Sequence, residues 1–130
     1  MKNKPKVVLA DDEAHIRALM KAVMTSMNCE IIGEARNGQE ASDLFRSRKP
    51  DLMLLDINMP VKTGEEALAE IIRGFPDAFV IMLSSVADMK SVSHCLDLGA
   101  ANYIRKDTPV DGMKRIIKET WETLKVRKEK

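Results

Sequence analysis

No apolar run in this 130-residue sequence exceeds six residues, Ala78 to Leu83, whereas a helix crossing a bilayer needs about 20. The opening MKNKPK leads into no signal-like apolar segment, so the expected setting is soluble and cytoplasmic. Neither sign of charge is in excess: 21 Lys and Arg face 20 Asp and Glu, a net charge of +1. That balance gives no general field for nucleic acid or a membrane surface, and any charge-driven function must be local. Cysteine is scarce as well. Cys29 and Cys95 are too few for a disulfide framework or a metal quartet, and small buried thiols commonly serve as core filler. Low-complexity sequence and interdomain linkers are missing. With 45% apolar residues, the expectation is one domain over residues 1–130, with its core from about 6 to 124 and no output domain.

What is present is one unit, repeated. KVVLA, Lys6 to Ala10, is a short β-branched run that stops at acids, after which Ile16, Leu19, Met20, Val23, Met24 and Met27 recur at helical spacing. CEIIGEA leads through a turn to NGQEASDLFRSR, with Ala41, Leu44 and Phe45 on one side. DLMLLD precedes a loop and then Ala67, Leu68, Ile71 and Ile72; AFVIMLS precedes a weaker helix from about Asp88 to Asp97. ANYIRK comes before Met113, Ile116, Ile117, Trp121 and Leu124, with Thr108 as the expected cap, Pro109 at the first helical position and Asp111 in the first turn. The nine methionines fall mostly at core spacings. Five strands, each followed by a helix, predict an α/β fold: a doubly wound parallel sheet covered on both faces.

In an open parallel sheet, functional groups gather outside the carboxyl ends of the strands. The first strand ends in Asp11 and Asp12 with Glu13 next, the third in Asp56, the fourth in Ser84 and Ser85, and the fifth in Arg105 and Lys106. Two carboxylates about 5 Å apart repel by roughly 3 kcal/mol at an effective dielectric near 20. A cation removes the conflict, and an all-oxygen ligand set with a loop carbonyl after Asp56 suits Mg²⁺, which shares its shell readily with phosphate. Lys106 adds a point charge for a phosphoryl oxygen, and Ser84 or Ser85 a donor for another. Asp56, in the middle of the rim, is the candidate nucleophile.

The acidic pair in VVLADDE, the acceptor strand and turn LMLLDINMPVKTG, the hydroxyl in VIMLSS and the aromatic and lysine in LGAANYIRK together resemble a response-regulator receiver domain, the phosphate-accepting module of two-component signalling. The resemblance runs from about Lys6 to Leu124. It implies the flavodoxin-like, CheY-like (βα)5 fold with strand order 2-1-3-4-5. It also implies Mg²⁺ held by Asp11, Asp12, Asp56 and the main-chain carbonyl of Asn58, and transfer of phosphate to Asp56 from the phosphohistidine of a sensor histidine kinase or phosphotransfer protein. Ser84 would be the switch hydroxyl, Tyr103 the switch aromatic and Lys106 the phosphate clamp. The partner face would include the helix from Asp88 and the strand carrying Tyr103, for a downstream protein target or a phosphorylation-dependent homodimer; no nucleic acid or membrane is implied for this domain. The module would be a switch that catalyses only its own phosphorylation and dephosphorylation, not an enzyme of metabolism.

Where most receivers follow the lysine with proline, this chain has Asp107, and a cis bond to a residue other than proline costs about 2.5–4 kcal/mol. RKDTP resembles a subgroup that usually continues into a DNA-binding domain. Val86 and Asn58 stand where the family tunes phosphate lifetime. Two other readings differ in class. A Mg²⁺-dependent phosphohydrolase with an Asp nucleophile would carry an Asp-x-Asp-x-Thr-type motif and a substrate cap, and DDEAH does not match. A receiver-like interaction module independent of phosphorylation would not need the acids, Ser84 and Lys106 that are intact here.

Overall fold

The computed structural model describes the backbone of residues 4–129 and side chains through residue 124. Five strands, β1 (Lys6–Ala10), β2 (Glu30–Ala35), β3 (Leu52–Asp56), β4 (Val80–Ser84) and β5 (Asn102–Arg105), alternate with α1 (Ala14–Ser26), α2 (Gly38–Arg48), α3 (Gly64–Gly74), α4 (Met89–Leu98) and α5 (Val110–Glu129). All strand pairs are parallel, in the order β2-β1-β3-β4-β5. This is the doubly wound flavodoxin-like arrangement expected of the sequence.

Side-chain alternation divides the interior into two layers. Val8, Ala10, Met53, Leu55, Val80 and Met82 join Phe45, Leu68, Ile71 and Val92 on the α2–α3–α4 side. Val7, Leu9, Leu52, Leu54, Ile81, Leu83 and Ile104 join Met20, Met24, Met113 and Ile117 on the α1–α5 side. Every residue of β3 and β4 is buried, which is why these strands read as unbroken apolar runs. A fully buried Leu or Ile contributes roughly 1.5–3 kcal/mol, so these central strands fix the platform from which the polar residues project.

The fourth helix starts where expected, after a short turn, whereas the start of the fifth differs by one residue. Val86–Asp88 forms a 3-10 turn, and α4 proper begins at Met89. At α5 the Pro109 carbonyl accepts the first helical bond, from the Met113 N–H at 3.0 Å, while the Thr108 N–H turns back to Arg105. Pro109, not Thr108, therefore occupies the cap, where its missing N–H costs no helical bond. By contrast α3 opens with a full capping box: the Thr63 hydroxyl accepts from the Glu66 N–H at 3.2 Å, and the Glu66 carboxylate accepts from the Thr63 N–H at 3.0 Å.

Two glycines set how closely the loop after β3 packs. A Cβ on Gly64 would lie 2.0 Å from the Asp56 carbonyl oxygen, and one on Gly38 would lie 2.1 Å from the Lys62 carbonyl oxygen. The Gly64 and Gly38 N–H groups donate to Ile57 and Lys62 at 2.8 and 2.9 Å, so α3 and α2 press their first turns onto the loop. Between them Val61 adopts a φ of 70° and is 83% exposed.

Candidate functional site

Strand register assembles the site. Ala10 pairs with Leu55, so the next residues, Asp11 and Asp56, stand side by side at the carboxyl edge. Asp56 in turn pairs with Leu83, and Ser84 with Arg105, which brings Ser84 and then Lys106 to the same edge. The Lys106 N–H donates to the Ser84 carbonyl at 2.8 Å, anchoring the root of the lysine. Among the described residues no peptide bond is cis, so the bond between Lys106 and Asp107 is trans.

Asp11 and Asp56 are each 1% exposed, whereas Asp12 is open to solvent. The three offer carboxylate oxygens within 4.8 Å of one another. The Lys106 ammonium reaches into the group, 2.8 Å from Asp11 Oδ2 and 3.1 Å from Asp56 Oδ2. Those two buried oxygens receive no aligned hydrogen bond; the ammonium beside them supplies charge, not directed donation. The remaining oxygens are committed locally. Asp11 Oδ1 accepts from the Glu13 N–H at 2.9 Å, at the start of α1, and Asp56 Oδ1 accepts from the Asn58 N–H at 3.3 Å.

Burial, and next the neighbouring Asp11 charge, push the Asp56 carboxyl from 3.8 up to about 7, against the opposing pull of Lys106. Burial works against the charge on Lys106, but contacts with Asp11, Asp56 and Glu13 outweigh it and hold the ammonium above its ordinary range. The pocket is thus short of positive charge. Its donors are all oxygen, two of them are buried without directed partners, and their spacing suits one ion; a hard divalent cation such as Mg²⁺ fits this set.

The other expected residues lie nearby but are less engaged. Ser84 is fully buried, and its hydroxyl donates to the Ser85 carbonyl at 2.8 Å, with the Met89 sulfur 3.6 Å away. Tyr103 is partly buried against the α2–α3–α4 layer. Asn58 is exposed, and its N–H is what the structure places on Asp56. Cys95 sits in the core, where burial, then Glu65, push its thiol up to about 11, in keeping with a packing role.

Sequence reasoning did not assign a role to Glu13, whose Oε1 accepts from Lys106 Nζ at 3.1 Å across 93 residues. Nor did it find Arg17, which donates to the Asp11 carbonyl at 2.7 Å and meets Glu34 at 3.4 Å, bracing the end of β1. The adjacency of Glu13 to the acidic pair was the signal on offer; nothing in the sequence said which way its side chain turns.

Over residues 7–118 the chain matches the response regulator receiver domain, and it belongs to that family. It is 35% identical to the chemotaxis protein CheY of Thermotoga maritima over 101 residues, 78% of this chain and 84% of that protein. It is 32% identical to the transcriptional regulatory protein DegU of Brevibacillus brevis over 117 residues, 89% of this chain but 50% of DegU. Among solved structures, the CheX–CheY complex with BeF3 and Mg from Borrelia burgdorferi superposes with a TM-score of 0.84 at 27% identity, covering 89% of this chain and 88% of that one. The class is therefore a receiver of two-component, phosphorylation-based signalling, a family that binds Mg²⁺ at an acidic site. No described helix is long and apolar enough to cross a membrane.

Proposed function

We propose that this chain is a phosphoacceptor switch in which Asp56 takes a phosphoryl group from the phosphohistidine of a sensor histidine kinase or phosphotransfer protein. The observation that carries the reading is the buried Asp56 carboxylate, pressed against Asp11 and Lys106 with its Oδ2 lacking a directed donor. Asp11, Asp12 and Asp56 would hold Mg²⁺, with the Asn58 carbonyl as a further ligand. When bound, the ion neutralises charge that accumulates on the transferring phosphoryl group. The Asp56 oxygen forms the new O–P bond as the P–N bond to the donor histidine breaks, and the imidazole keeps the electron pair and takes up a proton. Lys106 then holds a phosphoryl oxygen, since its ammonium already lies 3.1 Å from the acceptor.

Ser84 would exchange its bond to the Ser85 carbonyl for one to the phosphoryl group, and Tyr103 would move with it. The Ser84 hydroxyl lies 3.6 Å from the Met89 sulfur at the start of α4, and Tyr103 stands on β5, so the face of α4, β5 and α5 is the proposed contact for a downstream protein target or a second copy. In this reading the chain performs no turnover beyond its own phosphorylation and dephosphorylation, works in the cytoplasm, and acts as one receiver domain over residues 1–130.

With Mg²⁺ and acetyl phosphate the protein gains a single acid-labile adduct, and Asp56→Asn gains none, as read by intact mass. The same adduct on the Asn variant would remove Asp56 from the role, and sustained hydrolysis of phosphomonoesters would support a phosphohydrolase instead.

A further inference from the structure

The Lys106 ammonium lies against three carboxylates, Asp11 at 2.8 Å, Asp56 at 3.1 Å and Glu13 at 3.1 Å, and Glu13 is the one to which it donates a hydrogen bond. Two of these belong to the cluster suited to a cation; Glu13 does not. A divalent ion at the aspartates draws on the charges that now hold Lys106, and its own charge repels the ammonium. Glu13 is the described carboxylate within 4.0 Å of Lys106 that such an ion leaves free. The acid next in sequence, Asp107, is turned away and grips Arg105 with contacts of 3.1 and 2.6 Å.

The placement of Glu13 is fixed from its backbone. Its N–H donates to Asp11 Oδ1 at 2.9 Å, and its carbonyl accepts from Ile16 and Arg17, both at 3.1 Å, where it caps α1. Its Oε1 faces Lys106, while Oε2 lies 3.7 Å from His15. We propose that Glu13 is a positioning residue that keeps Lys106 poised over Asp56 once a divalent cation has claimed the aspartates. This rests on the phosphoacceptor reading. It adds that the third acid of the DDE run serves the lysine, while the first two serve the ion.

The test compares wild type with Glu13→Gln, which keeps the side-chain shape at a half-exposed position. The Lys106 ammonium is followed by NMR in metal-free and Mg²⁺-saturated protein. Metal-free variant and wild type should agree, because Asp11 and Asp56 still hold the lysine. In Mg²⁺, the variant's Lys106 signal should move to the exchange behaviour of an exposed lysine, while wild type stays protected. Phosphorylation by acetyl phosphate at saturating Mg²⁺ should fall about two- to fivefold, the range of a half-exposed ion pair, and the loss should vanish when Lys106→Ala is the background. A Lys106 signal that stays protected in the Mg²⁺-loaded variant, or an equal loss in the Lys106→Ala background, overturns the proposal. Failure of wild type to accept phosphate would instead sink the phosphoacceptor reading, and the NMR comparison would still judge Glu13.

Discussion

Asp56→Asn should stabilise the metal-free protein by roughly 2–4 kcal/mol at pH 8 and change its stability little near pH 4. The sign follows from the direction of the shift: burial and Asp11 raise the Asp56 carboxyl from 3.8 to about 7. A group raised in this way favours the folded state below its unfolded pKa. That contribution is lost as pH climbs from about 4 through 7, because the folded protein then has to ionise a carboxyl it shelters from water. Asparagine carries no such charge, so the gap between variant and wild type widens across this window and levels off above it. Urea unfolding at several pH values with chelator present measures the gap. Added Mg²⁺ reverses the order, since an ion held by the folded state stabilises wild type and finds a poorer site in the variant. A gap that stays constant from pH 4 to 8 would mean that Asp56 is not under electrostatic strain.

Gly64→Ala has an effect of similar size through a different cause. The added methyl would lie 2.0 Å from the Asp56 carbonyl oxygen and 2.8 Å from Ile57 Cα, both backbone atoms that cannot rotate aside. Overpacking commonly costs about 1–3 kcal/mol, and a backbone clash this short sits at or beyond the upper end. The strand end must shift, and the acceptor carboxylate shifts with it. Loss of about 3 kcal/mol in urea unfolding should accompany at least a tenfold slower reaction with acetyl phosphate, since a displacement of about 1 Å can cost on the order of 100-fold. Gly74→Ala at the other end of α3 is the control: nothing lies within 4 Å of its Cβ position, and the variant should fold and react like wild type. Equal behaviour of the two variants would show that the tight seat of α3 under Asp56 has no bearing on the site.

These contrasts mark what the residues disclose before a structure is available. Strands such as LMLLD and VIMLS are legible because both faces are covered, and α3 is legible because Ala67, Leu68, Ile71 and Ile72 recur at helical spacing. The polar rim is legible because acids that end apolar runs have few other places to go. The order of the strands came from resemblance to receivers, since periodicity alone does not arrange parallel strands within a sheet. The Glu13 contact was out of reach for another reason: it joins residues 93 positions apart, and an exposed glutamate after an acidic pair looks like any first-turn acid. Gly64 was visible as a turn residue, but its closeness to the Asp56 carbonyl depends on how α3 seats against β3. At α5 the sequence offered Thr108 as a good cap, and the turn that places Lys106 shifted the helix start by one residue.

The most direct measurement is the titration of the Asp56 carboxyl carbon by NMR, without metal and then with saturating Mg²⁺. A midpoint near 7 without metal, moving sharply downward with it, is the predicted result. A midpoint near 4 that ignores Mg²⁺ would contradict the claim that crowded, buried aspartates make this pocket a cation-dependent acceptor.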